Sequence, residues 1–434
     1  MVSLQDNMEI NKENLIIYEK NNLVVIYNKV LGKHFIVSEE VYNFFKNASE
    51  EKITFEEFID CFQDEEDRKY IKQVIYCLTQ MGVFTSKRKG SLEKKVNFMG
   101  ENIHFCITKR CNLKCKHCCA SCDINRSDTL STEQIKNITD IIEPLNPKTV
   151  VLTGGEPLIR DDFSEIVNYM KEKIKNICLV LSTNGTLIDD KNIDLIVEKF
   201  DRVEISLDGI DEETCSATRG KGIFGRVINS VKCLQKKGFY NIGLSMVFGD
   251  KNMNLSKQFR ELNKSLNTRA LERYFVPEGR GKENVLEYCS VNTNLPISIP
   301  KMLHKLYYDE GKRSKKISSC SCSAFKSQIY IDDDGSIYPC PSLIKEKYKI
   351  GSIFERETVL NIKDKNLDKI DAYKRFQGLY PFNFEKCSKC DVNIFCWNCP
   401  AVLDIAKEDE EDFKRWCSMM KPVLNGIVWD EGVI

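Results

Sequence analysis

Between residues 102 and 290 the chain alternates between short apolar runs and amphipathic stretches. The runs are Ile103–Thr108, Thr149–Thr153, Ile177–Ser182, Arg202–Leu207, Ile242–Phe248 and Arg273–Val276. Each has the length and β-branched content of a buried strand. The stretches between them read as helices. Ser131-x-x-Gln134 is a capping box that opens one, with Ile135, Ile138 and Ile142 facing inward. A second carries Phe163, Ile166, Val167 and Met170, and a third Ile193, Ile196, Val197 and Phe200. Consecutive parallel strands need crossover helices, so this pattern predicts a parallel sheet that is open or curled toward a barrel. Chemistry in such a sheet sits at the C-terminal ends of the strands.

Two other units flank this one. In the first 90 residues, NLIIYEKNNLVVIYNKVLGKHFIV predicts three strands, broken at Lys20-Asn21-Asn22 and Leu31-Gly32. Three helical patterns follow, with inward faces of Val41, Phe44 and Phe45, then Phe55, Phe58 and Ile59, then Tyr70, Ile71, Val74 and Leu78. A basic linker, Thr85–Lys95, comes next. From about 315 cysteines dominate, and SQIYIDDDGSIYPC reads as a hairpin around an Asp-Gly turn. The fold class is therefore α/β, with six β/α units at 100–290, a winged-helix-like α+β unit at 1–90 and a cysteine-rich, metal-binding unit at 315–434.

Lys+Arg and Asp+Glu both total 64, which argues against a nucleic-acid partner or an anionic membrane surface. The opening MVSLQDNMEI lacks the basic-then-apolar pattern of a signal peptide, and no apolar run approaches a membrane span. Twenty cysteines without a secretory signal point to metal or catalysis in a reducing, cytoplasmic setting.

Five of those cysteines crowd into RCNLKCKHCCASC, directly after the first strand. The spacing C-x3-C-x2-C occurs twice, as Cys111, Cys115, Cys118 and as Cys115, Cys119, Cys122. Nearby thiolates can converge on one iron–sulfur cube. Three of them leave one iron open to another ligand. A zinc knuckle is the alternative and needs a fourth ligand.

TKRCNLKCKHC resembles the cluster loop of radical S-adenosylmethionine (SAM) enzymes, whose form is C-x3-C-x-φ-C with φ aromatic or His. The first copy has His117 at φ and Asn112 after its first cysteine, where the second copy has Ser121 at φ. The resemblance therefore assigns a [4Fe–4S] cluster to Cys111, Cys115 and Cys118, with SAM on its open iron. Cys119 and Cys122 stand aside. VVLTGGEP is similar to the family's motif for the SAM amino group, which implicates Gly154, Gly155 and Glu156. By the same resemblance Ser182 and Asn184 of LSTNG contact SAM, Ser206 and Asp208 of ISLDG fit its ribose, and Arg219 lies near its carboxylate. VPEGRG, 276–281, resembles a segment at the sixth strand. The family resemblance implies a partial (β/α)6 TIM barrel at 100–290.

The C-terminal cysteines resemble the SPASM extension, which binds two further [4Fe–4S] clusters. This implies one held by Cys387, Cys390, Cys396 and Cys417, and another by Cys340, Cys399, Cys322 and Cys320, making three clusters with SAM as cofactor. A zinc ribbon is the bland reading of the 387–399 run. The two-residue gap before Cys399, where the family usually has three, is common among peptide thioether maturases. The N-terminal unit resembles a PqqD-like RiPP recognition element. There a leader peptide adds as a strand along His34–Val37 and packs on the helix near Asp67–Met81.

Together these resemblances imply an enzyme that uses a 5′-deoxyadenosyl radical to crosslink a ribosomally made precursor peptide bearing a leader, with a Cys thioether as the first product. Carbon–carbon or ether crosslinking, epimerisation and sulfatase-maturase-like oxidation are the enzymatic alternatives. An iron–sulfur electron carrier is the non-enzymatic one. The implied partners are the precursor and a one-electron donor such as flavodoxin or ferredoxin. The loop assignment predicts that Cys111→Ala abolishes 5′-deoxyadenosine formation, whereas Cys119→Ala with Cys122→Ala keeps it. Chromatography of the nucleoside product checks this, and the reverse result moves the cluster four residues down the loop.

Overall fold

The computed structural model describes residues 3–84, 100–292, 317–319, 322–396 and 399–429. The expected linker at 85–95 and Cys320 lie outside the described residues.

The N-terminal unit is a three-stranded antiparallel sheet, β1 (Leu15–Lys20), β2 (Leu23–Asn28) and β3 (Lys33–Ser38), followed by helices α1 (Glu39–Glu51), α2 (Phe55–Asp60) and α3 (Glu65–Gln80). Ser38, Thr54 and Asp64 cap the three helices with their side chains. The inward faces differ from expectation at two points. Helix α1 buries Tyr42, Phe45 and Ala48 and leaves Phe44 exposed, and α3 buries Ile75 and leaves Tyr70 exposed. In α1 a half-polar Tyr and a small Ala fit the interface, in α3 Ile75 does, and in each helix the displaced ring remains in water.

The six parallel strands are β4 (Asn102–Thr108), β5 (Thr149–Gly154), β6 (Cys178–Thr183), β7 (Arg202–Ser206), β8 (Ile242–Phe248) and β9 (Arg269–Tyr274). They lie side by side in chain order. Helices α4 (Thr132–Ile142), α5 (Phe163–Lys173), α6 (Ile193–Lys199), α7 (Glu212–Arg219), α8 (Ile223–Lys236) and α9 (Ser256–Ser265) connect them. Ile103, Phe105, Ile107, Leu152, Leu181 and Ile205 on the strands share one core with Ile135, Ile138, Val167 and Val231 on the helices. Strand β9 starts four residues earlier than expected. It is the open edge of the sheet and carries exposed Arg269 and Arg273, so the apolar Tyr274-Phe275-Val276 run marks its exit rather than its body.

The hairpin β10 (Gln328–Ile331) and β11 (Ser336–Tyr338) forms as expected around Gly335, which has φ +82°. It is not separate from the barrel. Strand β10 pairs in parallel with β4, and the sheet runs on through β11 to β12 (Gly351–Ser352), giving nine strands among the described residues. Lys109, one residue past β4, pairs with Asp332 at 2.9 Å and Asp333 at 2.6 Å in the hairpin turn. The barrel's core continues into Ile329, Ile331 and Ile337.

The N-terminal sheet is covered on both faces. Val24 and Ile26 face the three helices, whereas Leu23, Val25 and Tyr27 pack with Trp416, Leu424, Val428 and Trp429 of helix Glu410–Trp429. Tyr18 Oη donates to Asn393 Oδ1 at 2.8 Å, and the His34 ring meets Phe395 edge-on at 4.8 Å. Tyr27→Ala therefore removes a fully buried ring from that interface, and should cost about 3–5 kcal/mol. Exposed Tyr76→Ala should change stability by no more than about 0.5 kcal/mol. Urea unfolding of the two variants checks the difference.

Candidate functional site

The cysteine loop leaves β4 at a register shift between Cys106 and Thr108 and turns across the C-terminal ends of the barrel strands. Its first turn is fixed by backbone bonds, with Cys111 N–H donating to Asp123 O at 3.1 Å and Cys118 N–H to Cys115 O at 3.3 Å. Cys111, Cys115 and Cys118 line one cavity of about 220 Å³. His117, Gly154, Gly155, Ser182, Asn184, Ser206 and Arg219 line it with them. Ten of the twelve residues expected here thus come together from four strand ends.

The two glycines make room for the loop. A Cβ on Gly154 would sit 2.1 Å from Thr108 O, and one on Gly155 would sit 2.2 Å from Arg110 O and 3.0 Å from Cys111 Cβ. Only glycine lets the β5 end approach the backbone that carries the first thiol.

Glu156 and Asp208 do not line the cavity. Glu156 is fully buried behind it, accepting from Thr183 Oγ1 at 2.7 Å, Asn184 N–H at 2.7 Å and Leu158 N–H at 3.1 Å. Its carboxylate ties β5 to β6 and holds Asn184 in place, a positioning role. Burial pushes the Glu156 carboxyl up, against the pull of those donors.

Asp208 is buried too, in the left-handed region with φ +54°. It pairs with Arg219 through Nη2 at 2.6 Å and Nε at 2.7 Å, meets His117 Nε2 at 3.2 Å, and accepts from Val247 N–H at 2.6 Å. Burial opposes its ionisation, but Arg219 and His117 outweigh this and hold the carboxyl well below its usual range. So paired, it aims Arg219, whose Nη1 lies 3.7 Å from Cys115 Sγ. The other ring nitrogen of His117 meets Tyr288 Oη at 3.2 Å, and Tyr288 donates to Thr218 Oγ1 at 2.9 Å.

The two cysteines left out of the cluster set lie close to it. Cys122 N–H lies 3.4 Å from Cys118 Sγ. The Cys122 thiol also donates to Cys118, which pushes Cys118 down and Cys122 up. Cys119 lines both this cavity and its neighbour.

Sequence reasoning missed Arg280 and Arg160. Arg280 Nε donates to Cys115 O at 3.0 Å, its Nη2 to Cys122 O at 2.6 Å, and its N–H to Cys118 O at 3.1 Å. Gly279 beside it has φ +53°, and a Cβ there would sit 2.3 Å from Cys119 O. The signal was present: VPEGRG puts an Arg between two glycines, the pattern of backbone meeting backbone. Buried Arg160 donates to Ile107 O at 3.0 Å and Leu130 O at 3.1 Å and forms a two-pronged pair with Asp162, bracing the loop from the β4 side.

In the C-terminal part, burial first and neighbouring thiols second push up Cys322, through Cys399, and Cys340, through Cys322 and Cys399. Cys390 acts likewise on Cys417 of the last helix. Cys387 and Cys396 flank the short helix Asn393–Cys396, the former buried. Among the described residues no three His, Cys, Asp or Glu side chains converge on a single ion. A cube spreads its thiolates over different irons, so spaced sets of this kind fit a cluster. The loop thiols with Asn184 and Arg219 beside them fit one in the barrel cavity.

Residues 105–259 match the Radical SAM superfamily, and residues 320–391 match SPASM, an iron-sulfur cluster-binding domain. The chain carries a radical SAM domain and a SPASM domain. These indicate SAM and iron–sulfur clusters as its cofactors. The antilisterial bacteriocin subtilosin biosynthesis protein AlbA of Bacillus subtilis is 27% identical over 365 residues, which cover 81% of this chain and 77% of AlbA. The mycofactocin maturase MftC of Mycolicibacterium smegmatis is 28% identical over 261 residues, 57% of this chain and 66% of MftC. Fe-coproporphyrin III synthase of Methanosarcina barkeri is 35% identical over 189 residues, 43% of this chain and 46% of that protein. The SAM-bound crystal structure of Streptococcus suis SuiB shares the fold, with a TM-score of 0.50 at 14% identity over 89% of this chain and 94% of SuiB. No helix among the described residues is long and apolar enough to cross a membrane.

Gly155→Ala should force the loop and β5 apart. The expected cost is about 1–3 kcal/mol of stability, the usual penalty of overpacking, together with iron lost from the barrel site. Iron and sulfide content after anaerobic reconstitution, compared with wild type, checks this.

Proposed function

We propose that this chain is a radical SAM peptide maturase that installs an intramolecular crosslink, first of all a Cys thioether, in a ribosomally made precursor. The observation that carries the reading is the cavity itself. Three loop thiols face four strand ends, and a second chamber opens on the far side of Cys119 against the SPASM hairpin. A peptide side chain can enter that chamber while SAM fills the first.

The proposal assigns a [4Fe–4S] cluster to Cys111, Cys115 and Cys118. It assigns a second to Cys322, Cys340, Cys399 and Cys320, and a third to Cys387, Cys390, Cys396 and Cys417. When bound, cluster and SAM supply a 5′-deoxyadenosyl radical that takes a hydrogen atom from a peptide carbon. The chain's own residues do the rest. Arg219, aimed by Asp208, offers its guanidinium to the SAM carboxylate. Gly154, Gly155, Ser182, Asn184 and Ser206 shape the wall against which SAM lies, and Arg280 holds the loop shut behind it. A one-electron donor such as flavodoxin or ferredoxin starts each turnover in the reducing cytoplasm. Bacteriocin biosynthesis by AlbA and mycofactocin maturation by MftC support a peptide substrate. Carbon–carbon or ether crosslinking is the second choice of product.

Residues 1–90 would serve as the leader-binding element. Support comes from β3 ending its sheet and from a concave surface along α3, formed by Gln63, Lys69, Lys72, Gln73 and Tyr76. Deleting the unit would strip Leu23, Val25 and Tyr27 from the core shared with the last helix, so point changes are the cleaner test. Lys72→Glu with Tyr76→Asp should weaken precursor binding about tenfold, or about 1.4 kcal/mol, as read by fluorescence anisotropy of a labelled leader. Unchanged affinity removes the leader role.

The function itself is tested by anaerobic reconstitution with iron, sulfide, SAM, dithionite and the precursor peptide. The expected result is 5′-deoxyadenosine together with a peptide lighter by two hydrogen atoms per link. A peptide of unchanged mass that exchanges an α-hydrogen with solvent would make the enzyme an epimerase.

A further inference from the structure

A second cavity of about 250 Å³ adjoins the barrel cavity, and Cys119 and Ala120 line both. Its other walls come from separate parts of the fold. Lys109 follows β4, Arg126 ends the cysteine loop, Glu278 follows β9, and Asp332 and Pro341 belong to the SPASM hairpin. Two of its four charges are paired with each other, Lys109 with Asp332, and Lys109 also pairs with Asp333. The Glu278 carboxylate is different. Among the described residues it has no hydrogen-bond or ion-pair partner, although it is partly buried, lines the chamber and lies within electrostatic reach of Lys345, Asp404, Cys119 and Cys399.

Its placement is enforced. Gly279 has φ +53°, a Cβ there would sit 2.3 Å from Cys119 O and 2.7 Å from Cys118 O, and Arg280 is pinned to the loop carbonyls. The backbone of Glu278 is therefore fixed relative to the cluster loop, on the side facing the hairpin that ends in Cys340. A polar group left unpaired in such a position carries a cost that a ligand can remove.

We propose that Glu278 is the proton acceptor of the crosslinking step and touches the peptide group whose X–H bond is lost. This rests on the crosslinking reading above. For a thioether, the peptide S–H gives its proton to the Glu278 carboxylate. Its sulfur bonds to the carbon that has lost a hydrogen atom, and the odd electron passes to a one-electron acceptor of the iron–sulfur class. Burial pushes the Glu278 carboxyl up, opposed by Lys345 and reinforced by Asp404, which brings it nearer the range of a thiol. Arg126, without a side-chain partner among the described residues, lies across the same chamber and suits a peptide carbonyl or carboxylate.

The test compares wild type, Glu278→Gln and Glu278→Asp in the full reconstituted chain with the precursor. The readouts are crosslinked peptide per 5′-deoxyadenosine formed, and precursor affinity. Gln keeps the shape and hydrogen bonding but cannot take a proton. The proposal expects the ratio to fall at least tenfold in Glu278→Gln and to recover in part in Glu278→Asp, with affinity changed less than threefold. A Glu278→Gln ratio equal to wild type overturns the role of Glu278 and leaves the crosslinking reading standing. A tenfold loss of affinity with the ratio unchanged at saturating peptide makes Glu278 a binding residue and likewise overturns the proton role. A wild-type product of unchanged mass overturns the crosslinking reading, and the proton acceptor with it.

Discussion

The catalytic end of this molecule is organised around one buried carboxylate. Asp208 closes β7 in a left-handed conformation, takes the Arg219 guanidinium from the end of α7, touches His117 in the cysteine loop and accepts the N–H of Val247 from β8. Four chain segments distant in sequence are held by that charge. Removing one partner of a buried pair costs about 3–5 kcal/mol because the other is stranded. The loop cannot supply this order itself, because its thiols must face a group the polypeptide does not contain. Arg280 does from outside what a loop's own packing usually does, clamping the carbonyls of Cys115, Cys118 and Cys122. Glu156 does the same for β5 and β6.

The structure is less divided than the chain's cysteine distribution suggests. The SPASM hairpin continues the barrel sheet through β4, and the Lys109 pairs fix its turn beside the loop. The N-terminal sheet is buried between its own helices and the last helix, with Tyr18 bonded to Asn393, whose Nδ2 in turn donates to Cys387 O at 2.9 Å.

Much of this was legible from sequence, and the failures have physical causes. Strands buried on both faces announce themselves as apolar runs, so β4 to β8 were placed to within a residue or so. Edge strand β9 was misplaced because its exposed side chains are charged. The cysteine loop and the strand-end motifs were found because their residue types are chemically restricted. What the motifs did not reveal is direction. Glu156 and Asp208 turn their carboxylates into the protein, where backbone N–H groups and Arg219 satisfy them. Neighbouring donors decide where a carboxylate points, and those come from distant segments. Arg280 was missed for the same reason, and the pairing of β10 with β4 is a long-range contact that no local pattern records.

The central claim is that one iron–sulfur cluster, held by Cys111, Cys115 and Cys118 in the strand-end cavity, has an iron open to SAM. Electron paramagnetic resonance of the dithionite-reduced, reconstituted protein tests it most directly. Adding SAM should change the signal of one cluster in wild type, and that change should vanish in Cys118→Ala while the signals of the C-terminal clusters remain. A wild-type spectrum indifferent to SAM, or a SAM-dependent change that survives in Cys118→Ala, would contradict it.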